Sequence, residues 1–333
     1  MIPFSVLDLA PIVEGGTVAQ ALKNSADLAQ ACERFGFNRF WLAEHHNMPG
    51  IASSATSLAI MNAAAATKTM RIGAGGIMLP NHAPIVIAEQ FGTLAALYPG
   101  RIDLGLGRAP GTDQRTAMAL RRTMVGGEDR FPQDVLELQA LLGPSEPRQA
   151  VRAVPGENTN VPLWILGSSL FGGQLAAALG LPFAFASHFA PAQMMDAIAI
   201  YRQTFRPSEQ LKKPYVMLGY NVFAADSDED ARVLATSMMQ SFVALRRGVP
   251  RALQPPDADF EAKMTEAEQA QLTGVRACSA VGAPATVKAA MDAFIKRTGA
   301  DELIIASHIY DHLARVRSYE IAAQVHDELS SAA

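Results

Sequence analysis

Cysteine is nearly absent: Cys32 and Cys278 are the two among 333 residues. Two thiols cannot build a disulfide framework or a cysteine-rich zinc site, so a reducing compartment is expected. A surplus of either charge is also missing. Lys and Arg number 28 against 32 Asp and Glu, a net charge of -4, which offers no footprint for nucleic acid or an anionic membrane. Long apolar runs are lacking, since Thr67, Lys68 and Thr69 end the Ala-rich stretch after Met61, and none approaches the roughly 20 residues of a membrane span. Met1-Ile2-Pro3-Phe4-Ser5-Val6-Leu7-Asp8 has neither the basic start nor the apolar run of a signal peptide, so the expected location is the cytoplasm. There is no internal repeat, low-complexity tract or clear domain boundary.

What is present is an ordinary globular composition, 49% hydrophobic and 18% charged, at a length that suits two domains or one large α/β barrel. Short apolar runs rich in β-branched or aromatic residues recur at 4–7, 39–42, 71–78, 102–106, 163–166, 183–186, 215–223 and 302–306. Helix-like stretches separate them. Thr17 with Gln20 and Ser227 with Asp230 have capping-box spacing, and Pro84, Pro191 and Pro284 suit first-turn positions. Phe131, Val135, Leu138 and Leu142 share one helical face. Eight alternations predict a closed (β/α)8 TIM barrel, although a doubly wound open sheet also alternates. Long insertions follow strand four (109–162) and precede strand eight (248–282). The second, with Pro250, Pro255, Pro256 and several acids, reads as a mobile lid on a single domain of residues 1–333.

Barrel chemistry sits at the carboxyl ends of the strands. There the chain places Glu44-His45-His46-Asn47, Asn81-His82, Arg108, Gly167-Ser168-Ser169, Ser187-His188 and Ser307-His308. A metal centre is the first thought for so many histidines. Adjacent residues on an extended strand face opposite ways, so His45 and His46 cannot both enter one mouth, and no His-x-His or His-Glu-x-x-His is present. No metal is expected. Gly167-Ser168-Ser169, opening a helix, is an anion seat or an ordinary serine N-cap; Arg108 on the neighbouring strand favours a phosphate. The Gly-x-Gly at 105–107 lacks the third glycine and the distant acid of a dinucleotide fingerprint. Gly73, Gly75 and Gly76 in a central strand call for a close neighbour, either a flat ring or a packed helix.

Trp41-Leu42-Ala43-Glu44-His45-His46, Gly73 to Pro80 with His82-Ala83-Pro84 and Ala88-Glu89-Gln90, Gly100-Arg101-Ile102-Asp103-Leu104-Gly105-Leu106-Gly107-Arg108, and Gly167-Ser168-Ser169 resemble the bacterial luciferase-like flavin-dependent monooxygenases. The correspondence runs in order over nearly the whole chain and is nearest to short, single-chain bacterial members of unassigned substrate. The resemblance implies a barrel that binds FMN in its reduced form, FMNH2, and usually a homodimer. It assigns the phosphate to Arg108, Ser168, Ser169 and the Gly172 backbone. Gly75-Gly76 falls where relatives place a non-prolyl cis peptide against the isoalloxazine. His45 matches the catalytic histidine, with His46 beside it as the second catalytic candidate and Glu44 as a neighbour. Where light-emitting members carry a reactive cysteine, this chain has Gly107, so light emission is not expected.

The implied activity is an FMNH2- and O2-dependent monooxygenation through a flavin C4a-hydroperoxide on an unidentified small organic substrate, with reduced flavin delivered by a separate NAD(P)H-dependent flavin reductase. The cofactor supplies the reactivity, while a histidine can exchange a proton near neutral pH. His82, His188 and His308 edge the expected pocket and are the candidate substrate contacts. Two alternatives use the same scaffold: an F420-dependent dehydrogenase and a non-catalytic flavin-binding protein.

Overall fold

Strands that will be buried on both faces are apolar along most of their length rather than alternating, and here the charged residues Asp8, Arg39, Arg71, Asp103 and Glu302 stand at or next to strand ends. The structure, a computed structural model, describes residues 1–109, 114–120, 130–145 and 149–331. Its strands are β1 (Phe4–Asp8), β2 (Arg39–Leu42), β3 (Arg71–Met78), β4 (Ile102–Gly107), β5 (Leu163–Gly167), β6 (Phe183–Phe185), β7 (Val216–Ala224), β8 (Ser279–Gly282) and β9 (Glu302–Ala306). The helices are α1 (Val18–Arg34), α2 (Thr56–Ala66), α3 (Pro84–Leu97), α4 (Gln114–Leu120), α5 (Phe131–Leu142), α6 (Leu170–Leu179), α7 (Met194–Thr204), α8 (Asp228–Arg246), α9 (Glu266–Arg276), α10 (Pro284–Thr298) and α11 (His312–Ser331). All nine residues of β7 are buried.

Strands β1 to β7 pair in chain order, all parallel, and β9 closes the ring between β7 and β1. The expected (β/α)8 barrel is therefore present. One element was not expected. β8 is a ninth strand that pairs with the outer half of β7, Asn221↔Ser279 to Ala224↔Gly282, after β7 has finished with β9. It lies in the stretch read as a lid, where Ser-Ala-Val-Gly is too short to signal a strand.

That stretch is folded onto the barrel. Leu253 bridges Val13, the Thr236 hydroxyl accepts the Asp257 N–H at 2.9 Å, and Gln240 donates to the Pro255 carbonyl at 2.8 Å. Met264, Leu272 and Val275 pack with Phe223, Met238, Met239, Phe242 and Ile309. Thr265 and Glu268 form a complete capping box at the start of α9. Elsewhere Thr17 and Ser227 cap α1 and α8 as their spacing predicts, and Pro84 and Pro284 begin α3 and α10. Pro191 departs from expectation: it sits in the turn before Gln193, the N-cap of α7.

The amino end of the barrel is sealed by charge. Arg39 bonds Glu302 at 3.0 Å and Asp103 at 2.6 Å while lying 4.8 Å from the Trp164 ring. Glu302 also accepts from Ser5, Asn38 and Tyr215, and Asp103 from Arg71 and Trp41. Above this plug the interior holds Leu7, Trp41, Ala43, Trp164, Ala184, Met217, Ile304 and Ala306. The small alanines leave the carboxyl end open for side chains of the rim.

Candidate active site

The alternation that points Trp41 and Ala43 inward carries on to His45, and that of Ile304 and Ala306 to His308. His188 arrives from the turn after β6, with its Nδ1 over β7 at Gly219, where an added Cβ would lie only 2.1 Å away. Ser187 donates to the Gly219 carbonyl at 2.7 Å and Asn221 to the His188 carbonyl at 2.8 Å, so the turn is pinned to β7. Three imidazoles thus share the barrel mouth. His45 Nδ1, His188 Nδ1 and His308 Nε2 are sealed from solvent without a hydrogen-bond partner.

Their environment keeps them uncharged. Burial pushes His45 down to about 4, assisted by His46 and opposed by Glu44. Burial, then His308 and His45, takes His188 to about 3. His308 falls to about 4 through burial and Arg315, with Asp8 opposing. Ordinary imidazoles titrate near pH 6.5, so these rings are neutral at pH 7.

His46 faces the other way, as expected from its neighbour. Its Nε2 lies 2.7 Å from the buried Glu44 carboxylate, which also meets His82 Nε2 at 3.0 Å, the Asn81 amide at 3.2 Å and the Met78 N–H at 3.0 Å. The Glu44 N–H donates to the Gly76 carbonyl at 3.3 Å, so one residue braces the end of β3 on both sides. Burial alone would raise the Glu44 carboxyl, but the bond and charge of His82, then His46 and Met78, hold it below the usual range. The structure therefore groups His82 with Glu44 and His46, apart from the substrate role foreseen beside His188 and His308. Glu44, His46 and His82 place their ligand atoms within 4.8 Å of one another, a metal-capable set that spacing alone did not reveal. The carboxylate's oxygens are nonetheless occupied by hydrogen-bond donors.

Gly75-Gly76 is a cis peptide, as the family pattern implies. A Cβ on Gly76 would meet the Gly105 carbonyl at 2.6 Å and one on Gly75 the Leu7 side chain at 2.8 Å. The neighbours that exclude side chains here are β4 and the barrel interior, which removes the alternative of a helix packed over the glycines. The β3–β4 register shifts between Ala74 and Ile77.

On the next sector Ser169 occupies the N-cap of α6 in an extended conformation, yet its side chain makes no capping bond. Neither its hydroxyl nor that of exposed Ser168 is engaged among the described residues. Arg108 stacks 4.2 Å from the Phe171 ring on the first turn of α6 and forms no ion pair among the described residues. Gly172 is buried, with room for a Cβ only 3.1 Å from Phe183, which lets that turn lie close to β5. A cation, two open hydroxyls and an uncapped helix start suit a phosphate.

Sequence reasoning missed Asp8 and Arg315, a fully buried pair. Asp8 accepts from Arg315, from Ser25 at 2.5 Å and from the Ala10 N–H at 3.0 Å, and Arg315 reaches the Ser307 carbonyl at 3.0 Å. Arg315 on α11 thereby ties down the closing seam between β1 and β9. Asp8, an acid ending an apolar strand, was the available signal.

A family model for luciferase-like monooxygenases matches residues 2–302. A luciferase-like monooxygenase of Escherichia coli (strain K12) is 53% identical over 328 residues, 98% of each chain. N-acetyl-S-alkylcysteine monooxygenase of Bacillus subtilis (strain 168) is 34% identical over 254 residues, 74% of this chain and 75% of that one. Among solved structures, apo-MsnO8 superposes with a TM-score of 0.90 at 33% identity, covering 98% of this chain and 99% of its own. With a matching fold and matches that span nearly its whole length, this chain belongs to the luciferase-like monooxygenases, a family of flavin-dependent enzymes.

Proposed function

We propose that the protein is an FMNH2- and O2-dependent monooxygenase of a small organic substrate, supplied with reduced flavin by a separate NAD(P)H-dependent reductase. The observation that carries this reading is one rim holding both the Arg108, Ser168 and Ser169 cluster at the α6 start and buried imidazoles with nitrogens that lack partners among the described residues. Arg108, Ser168, Ser169 and the Gly172 backbone would hold the FMN phosphate, and the Gly75-Gly76 segment with His45 would border the ring. Reduced flavin, when bound, supplies the electrons that activate O2 for oxygen transfer.

The protein's part is proton handling and exclusion of water. His45 is neutral at pH 7 with Nδ1 sealed, so its open Nε2 takes a proton and returns the same one. Glu44 and His46 act as positioning residues, holding the β2 and β3 ends in register. In this reading the part of residues 248–282 ahead of β8 serves as the lid, its movement admitting substrate. Leu58 and Met61 on α2 and Val86 and Leu97 on α3 are 42–68% exposed on adjacent helices, an apolar surface that supports a homodimer. The two buried, unpaired cysteines suit the cytoplasm, and no helix among the described residues is long and apolar enough to cross a membrane.

The test is anaerobic titration with FMNH2, FMN and reduced F420, followed by admission of O2 and by NADH oxidation with and without a flavin reductase. FMNH2 should bind tightest, and turnover should need the reductase. Preference for reduced F420, or brisk NADH oxidation by the protein alone, would overturn the reading.

A further inference from the structure

The barrel mouth combines three features that together define what it can accept. First, His45, His188 and His308 contribute six ring nitrogens, none of which hydrogen-bonds to a described residue, and one on each ring is sealed from water. Buried polar atoms are normally paired, so nitrogens left open in this way ask for a partner from outside the chain. Second, the arrangement is built rather than incidental. Gly219 lacks the side chain that would displace the His188 ring, and Ser187 and Asn221 anchor the turn that carries it. Phe189 next to it stacks edge-on against Phe242 at 6.0 Å.

Third, among the described residues the charges that act on the three rings are already engaged. Arg315 is consumed by Asp8 and the Ser307 carbonyl. Glu44 is turned away and bonded to His46, His82 and Met78. Arg108 lies over Phe171 in the phosphate sector. Leu7, Ala43, Ala306 and Ile309 add apolar surface at this end of the barrel, and Arg246 lies over the Phe189 and Phe242 rings. Among the described residues, an anion entering here would lose its hydration without meeting an unpaired cation beside the imidazoles, and an ammonium group would find no unpaired carboxylate.

We propose that His188 and His308 are the specificity-determining residues of the substrate pocket, and that the substrate is an uncharged molecule with an apolar body and a hydrogen-bonding head such as a carbonyl, hydroxyl or amide. Each ring meets the head with an N–H or a lone pair according to tautomer. His45 keeps the proton-handling role. The inference rests on the mouth being the substrate pocket of the flavoenzyme proposed above.

Two probes of equal length, hexanamide and hexanoate, separate charge from shape. Both are titrated calorimetrically at pH 7 into FMN-loaded and flavin-free protein, and FMN affinity is measured independently. Hexanamide should bind at least about tenfold more tightly than hexanoate, the scale of one or more lost hydrogen bonds on burial. His188→Leu and His308→Leu should each weaken hexanamide by about five- to tenfold and leave FMN affinity within about twofold. His188→Gln, which retains a polar end, should recover most of that loss and guards against a folding defect in the Leu variant. Equal or tighter binding of hexanoate, binding of neither probe, or indifference to both Leu variants overturns the proposal. Failure of FMN to bind overturns instead the flavin reading, and the flavin-free arm still reports on the pocket.

Discussion

Gly219→Ala tests the geometry of the mouth through stability, with no knowledge of the substrate. The new Cβ would lie 2.1 Å from His188 Nδ1 and 3.0 Å from both Cγ and Cε1. Ordinary contact starts near 3.4 Å, so the ring must retreat by about 1.3 Å. Its main chain cannot follow, because the His188 carbonyl is held by Asn221 at 2.8 Å and Ser187 is bound to the Gly219 carbonyl at 2.7 Å. The ring must therefore leave its rotamer or push β7, an overpacking strain of about 1–3 kcal/mol. Urea unfolding should show that loss at an unchanged m-value. In a His188→Ala background the obstacle is gone, and Gly219→Ala should then be neutral or slightly stabilising, as Ala for Gly in a strand usually is. The cycle should give a coupling of about 1–3 kcal/mol, the full strain. Equal effects of Gly219→Ala with and without the imidazole would refute the placement of His188 over β7.

Arg108→Ala should weaken FMN by about 10- to 100-fold, the value of a charge-assisted hydrogen bond, and leave riboflavin nearly unchanged; equal losses in fluorescence titrations would remove Arg108 from the phosphate seat. Glu302→Ala leaves Arg39 and Arg71 sharing Asp103 alone at the barrel floor and should lower stability by about 3–5 kcal/mol in denaturant melts, without altering flavin selectivity. Acidification should destabilise the fold before the carboxylates titrate. His45, His188 and His308 have folded values of about 4, 3 and 4, below the unfolded 6.5, so the unfolded chain gains protons first. Stability is then full above about pH 6.5 and falls towards pH 4, by up to about 1.4 kcal/mol per pH unit for each ring. His188→Leu/His308→Leu should flatten that slope, and an unchanged slope would mean the rings are not held neutral.

The barrel was legible because its strands are apolar on both faces and its helices carry caps at readable spacing, as at Thr17 and Ser227. What the sequence concealed depends on contacts between distant segments. β8 is four residues long and exists because the outer half of β7 offers an unpaired edge. The Asp8–Arg315 pair joins the first strand to the last helix, 307 positions apart, beyond the reach of any local pattern. The opposite orientations of His45 and His46 followed from strand alternation alone. Sorting His82 from His188 and His308 required the fold, because only the fold shows that Glu44 takes His82 while Gly219 makes room for His188.

One rim should hold both the flavin phosphate and the reacting end of the ring. A crystal structure of the protein grown with FMN decides this. The phosphate should lie within hydrogen-bond distance of Arg108, Ser168 and Ser169, with the ring against Gly75-Gly76 and within reach of His45 Nε2. A phosphate seated elsewhere, or a ring remote from His45, would contradict it.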